Sequence, residues 1–71
     1  MAKTETRLAQ TARHVREGEA RVARQLALIK KLDASGRHEE AALARDLLAT
    51  LTEALELARR HLHRLTIGKE R

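Results

Sequence analysis

The chain has 71 residues, 15 Lys and Arg against 10 Asp and Glu, a net charge of +5, and no Cys, Pro, Phe, Tyr or Trp. A chain this short makes one small domain and buries only about 60% of its unfolded surface, so without disulfides it depends on very regular packing, a partner or its own dimerisation. The missing cysteines exclude a disulfide framework and a zinc finger, no uncharged run approaches the ~20 residues of a membrane span, and the start, Met1 to Arg7, lacks the apolar core of a signal peptide. A cytoplasmic protein without membrane contact is the expectation.

Ala and Leu supply 25 of the residues and β-branched side chains are sparse, so helix is favoured almost everywhere. The first helix is predicted over about residues 4–34, with Thr4 or Thr6 as its cap. It carries Leu8, Val15, Val22 and Ile29 at intervals of seven, with Thr11, Gly18, Gln25 and Leu32 as companion positions of a partly polar seam. Lys30 and Lys31 suit its last turn.

A turn is expected at about residues 35–37, inside Asp33-Ala34-Ser35-Gly36-Arg37-His38, the one internal cluster of turn formers, with Gly36 suited to the left-handed residue that ends a helix. The second helix is predicted over about 38–67, with Glu39 and Glu40 at its positive end and Gly68 as its stop. Ala41, Ala44, Leu48, Leu51, Leu55, Ala58, Leu62 and Leu65 alternate at three and four residues, which is a coiled-coil seam. If the helices fold back antiparallel, the numbers of every seam pair add to 73, from Leu8 with Leu65 to Leu32 with Ala41. This register sets small against large, Gly18 against Leu55 and Ile29 against Ala44, as close-packed helices require. The whole chain, 1–71, thus reads as a single all-α domain, an antiparallel two-helix hairpin.

Leu43, Leu47, Ala54 and Leu57 form a second stripe on the second helix, and Leu28 lies across from Leu47. These five residues are the expected self-association face, through which two hairpins pack into a four-helix bundle with crossings near 20°. The same stripe would serve an adaptor that docks on another protein's helix.

The stretch Val15 to Gln25, the turn at Gly36 and Leu47-Leu48-Ala49-Thr50-Leu51 resemble small bacterial helical-hairpin proteins that have no assigned activity. That resemblance covers most of the chain, implies the hairpin and adds no chemistry. The architecture, though not the sequence, is also similar to the plasmid copy-number hairpins that dimerise into RNA-binding bundles.

Charge gives the alternative function. Residues 1–17 carry +2 and residues 57–71 carry +4, and a hairpin brings both to one end. Arg7, Arg13, Arg16, Arg59, Arg60 and Arg64 form the candidate anion or nucleic-acid pole, since neutralisation of phosphates by Lys and Arg dominates non-specific affinity. Against it, no aromatic side chain is present to stack bases, and Arg13/Glu17/Arg21 and Glu56/Arg60 read equally as solvated helical pairs. His14 and His61 flank the seam on one side and are the weak candidates for a metal or a pH-sensitive contact, but the strong helical metal spacings are missing. Gln25 reads as a residue that fixes register. Ser35 is the only serine and lies in the turn without an activating partner at helical spacing, so neither catalysis nor a cofactor is expected.

Overall fold

A computed structural model describes residues 5–69. Two helices, α1 (Arg7–Ala34) and α2 (His38–Lys69), run antiparallel and pack along their length. Thr4, the other expected cap, and Lys3, Glu70 and Arg71 of the expected basic pole lie outside the described residues.

α1 begins where Thr6, in extended backbone, accepts a hydrogen bond through its hydroxyl from the Ala9 amide at 3.0 Å. That bond satisfies one of the amides that a helix start leaves without an internal partner. The other end closes in a Schellman arrangement. The Arg37 amide donates to the Leu32 carbonyl at 2.9 Å and the Gly36 amide to Asp33 at 3.1 Å, with Gly36 at φ 76°. Only glycine takes that left-handed conformation without a steric cost, so Gly36 sets the reversal. α2 starts at once: the Arg37 carbonyl accepts from the Ala41 amide at 2.9 Å, and Glu39 and Glu40 place negative charge on the first turn. At the far end α2 runs on through Gly68 to Lys69, past the expected stop, because Gly68 keeps a helical backbone rather than a positive φ.

All sixteen predicted seam positions are buried or half-buried, and outside the seam only Ala12, Asp33 and His61 share that degree of cover among the described residues. The fully buried set is small: Thr11, Val15, Gln25 and Ile29 from α1, and Ala41, Ala44 and Leu55 from α2. Gly18 shows why the seam tolerates a helix-weakening residue. A Cβ placed there would lie 3.0 Å from Leu55 Cδ1, closer than ordinary contact, so a larger residue would require the Leu55 side chain to shift. Gln25 also reaches across the seam. Its Nε2 donates to the Ala44 carbonyl at 2.8 Å, so the buried amide keeps a partner on the other helix.

Charged side chains then line one flank of the seam. Arg45 pairs with Asp33 across the turn, and Arg59 reaches Glu19 at 3.2 Å while also holding Glu56 at 3.2 Å on its own helix. The numbers of both cross-helix pairs add to 78, so they repeat one geometric offset from the seam. Each pair is solvent-exposed and contributes on the order of 0.2–1 kcal/mol, which refines the register rather than creating it.

The result is a single layer. The Cα radius of gyration is 16.2 Å, where a compact chain of this length has about 11 Å. The surface is correspondingly large, 5826 Å², where about 4,450 Å² is typical of a compact monomer of the same mass.

Candidate self-association face and basic pole

The five stripe residues all remain open to solvent in the hairpin. Leu43 is 70% exposed, Leu57 62%, Leu47 50% and Leu28 44%, and Ala54 is exposed with them. The reason is angular. On α2 these side chains stand one or two positions from the seam, so a neighbour covers the seam residue and leaves the next one uncovered. A shallow groove beside Gly18 locates this flank, because it is bordered by His14 and Arg21 from α1 and by Leu51 and Ala54 from α2. Leu28 lies seven residues after Arg21, and Leu47 lies seven residues before Ala54, which puts both on the same side of the hairpin.

Two further exposed aliphatics escape the sequence reading, Leu26 at 52% and Ile67 at 47%. Leu26 belongs to the opposite flank, seven residues from both Glu19 and Asp33, and is isolated there among the cross-helix ion pairs. Its neighbour in sequence, Gln25, is a seam position, and that adjacency is the signal that would have placed Leu26 at a boundary.

The antiparallel fold brings the start of α1 and the end of α2 together, so the six arginines of the expected pole share one end. They do not act alike. Arg13 is engaged by Glu5 at 2.9 Å and by Glu17 at 3.8 Å, and Arg59 by Glu19 and Glu56. Glu56 thus pairs with Arg59 and not with the expected Arg60, because Arg59 lies on the flank next to α1 and bridges both glutamates. Arg7, Arg16, Arg60 and Arg64 make no ion pair among the described residues and carry the charge the pole offers to an anion.

His14 is exposed and borders the Gly18 groove, whereas His61 is half-buried and not among the residues that border it. Among the described residues no three His, Asp or Glu side chains converge as a metal site would require. At the turn, His38 Nδ1 approaches Asp33 Oδ1 to 3.5 Å, a contact the sequence reading did not assign. Asp33 is shared with Arg45, so one carboxylate ties the end of α1 to two side chains of α2. No helix among the described residues is long and apolar enough to cross a membrane. No family model matches the chain, and no curated protein or solved structure matches it.

Proposed function

We propose that the hairpin is a cytoplasmic, non-catalytic interaction or scaffold module that self-associates through Leu28, Leu43, Leu47, Ala54 and Leu57 into a four-helix bundle. The observation that carries this reading is the exposed leucine stripe on α2, with Leu43, Leu47 and Leu57 each at least half exposed and aligned along one side of the helix. Scattered exposed leucines are ordinary, but an aligned row beside a surface about 1,400 Å² larger than a compact monomer needs is what an unfilled interface looks like. A standard interface removes about 800 Å² per partner, which that excess accommodates.

Size exclusion with light scattering and refractive-index detection tests the reading, with absorbance followed at 260 nm at low and at high salt. Without aromatic residues the protein is nearly dark there, so any signal belongs to a passenger. The expected result is a mass of at least twice 8.0 kDa with no 260 nm peak, and a return to monomer mass in Leu47→Glu. An oligomer that survives Leu47→Glu intact rejects this face. A monomer with a co-eluting 260 nm species lost in high salt rejects the scaffold reading for the basic pole, since phosphate contacts weaken steeply with salt. A salt-insensitive complex with a different protein would make the stripe an adaptor surface.

A further inference from the structure

We infer that the partner on the α2 stripe is a second copy of this chain packed antiparallel to the first, with α2 against α2 and a two-fold axis passing beside Thr50 and Ala54. This inference rests on the self-association proposed above and supplies its orientation.

The stripe is a seam in its own right. Leu43, Leu47, Thr50, Ala54, Leu57 and His61 alternate at four and three residues, and all but the half-buried His61 are exposed. It is also symmetric about position 52. Leu43 with His61, Leu47 with Leu57 and Thr50 with Ala54 each add to 104, as the seam pairs within the hairpin add to 73. A two-fold interface requires that self-complementarity, residue i meeting j while j meets i. It places Leu47 on Leu57 of the second copy twice, and sets the two smallest members at the crossing, where the backbones approach most closely.

Charge selects this orientation over the parallel one. Extending the same register pairs Glu40 with Arg64 of the second copy, which also add to 104. On the outer flank Asp46 and Arg60 add to 106, two more than the seam. That offset is the one the hairpin shows on the corresponding flank, where Arg21 and Ala54 add to 75 and border one groove. Each dimer thus gains two Glu40–Arg64 and two Asp46–Arg60 contacts. None of Asp46, Arg60 and Arg64 makes an ion pair within the hairpin among the described residues, and Glu40 has only a distant neighbour in Arg37 at 3.8 Å. Parallel packing would instead bring Arg64 beside its own copy, Glu40 beside its own copy and both basic poles to one end, and would leave Asp46 and Arg60 on outer flanks that do not meet. Like charges at such positions oppose pairing. Glu53 approaches its own copy near the axis of the antiparallel dimer, a cost that its solvent exposure reduces.

The absence of cysteine allows single-cysteine variants to report orientation directly. Sedimentation equilibrium of the wild-type chain comes first, and a monomer at all concentrations would reject self-association itself. Given a dimer, Glu53→Cys treated with a short bismaleimide is expected to give the covalent dimer. Arg64→Cys is expected to give none, because antiparallel copies hold those positions 24 residues of helix apart, about 36 Å. A covalent Arg64→Cys dimer, or none from Glu53→Cys, overturns the orientation. A charge exchange reads the same question without chemistry. Arg60→Glu with Arg64→Glu should raise Kd at least tenfold although it lowers the net charge, and adding Glu40→Arg with Asp46→Arg should restore it. A parallel dimer would not be weakened by the first pair of changes, because they lower the charge of the two poles it brings together.

Discussion

The two faces of α2 share one three- and four-residue spacing and are both rich in leucine, and only one of them is covered by its own chain. Leu55 and Leu57 stand two positions apart, one 6% exposed and the other 62%. The covered face meets matching features on α1: the missing side chain of Gly18 beside Leu55, the Gln25 amide on the Ala44 carbonyl, and the flanking Asp33–Arg45 and Glu19–Arg59 pairs. The outward face has its row of leucines and its flanking charges, but nothing in α1 answers them. The corresponding side of α1 reads Gln10, His14, Glu17, Arg21 and Arg24 before the single Leu28. α1 is therefore amphipathic once and α2 twice. Among the described residues α1 covers only one of these two sides.

The largest expected effects test whether these faces do different work. Leu55→Ala should lower hairpin stability by about 2–4 kcal/mol, the usual result of truncating a buried leucine, and should do so at every protein concentration. Leu57→Ala should act on association. Each dimer loses two side chains at roughly 1.5 kcal/mol each, so Kd should rise about a hundredfold while the dilute protein keeps its helicity. Circular dichroism melts across a concentration series, read beside sedimentation equilibrium, separate the two. Equal and concentration-independent losses from both variants would erase the distinction between the faces.

The first face was legible in the sequence because eight residues on each helix had to agree with one constant sum, and every one of them is covered in the structure. The capping glycine was legible for a similar reason, since Gly36 stands between two runs of opposite terminal charge. The flank contacts were not. Arg59 and Arg60 are neighbours with the same side chain, and reading i,i+4 pairs within one helix assigned Glu56 to the wrong one. Which arginine lies beside α1 is decided by the packing of both helices, and that packing gives Arg59 two glutamates and leaves Arg60 with none. The same three-dimensional sorting separates Arg13, held by Glu5 and Glu17, from Arg7 and Arg16 in the basic pole. The self-association stripe was visible as a pattern, and the structure adds that its leucines are open.

A smaller effect sharpens the account of the covered face. Gly18→Ala gains about 1 kcal/mol of helix propensity, yet its Cβ would stand 3.0 Å from Leu55 Cδ1. Overpacking at a filled site costs about 1–3 kcal/mol, so the net change should be a loss of about 1 kcal/mol. In a Leu55→Ala background the obstacle is gone and the same substitution should stabilise by about 1 kcal/mol. This reversal of sign in a double-mutant cycle is the signature of direct contact. If Gly18→Ala stabilises both backgrounds alike, Leu55 moves aside freely and the glycine has some other basis.

The smallest effect concerns the flank pairs. Asp33 lies in the last turn of α1, where a negative charge opposes the helix dipole, and it is retained there beside Arg45 and His38. Asp33→Asn removes an exposed ion pair of about 0.2–1 kcal/mol and at the same time relieves an unfavourable dipole contact of about 0.3–1 kcal/mol. The two nearly cancel. The melting temperature should move by no more than about 3 °C in low salt, and the difference from wild type should shrink further in 1 M salt as both interactions are screened. A much larger, salt-resistant loss would mean that Asp33 holds the turn through geometry rather than charge. The covered face would then owe part of its register to the loop, and the contrast between the two faces of α2 would begin at the turn instead of along the seam.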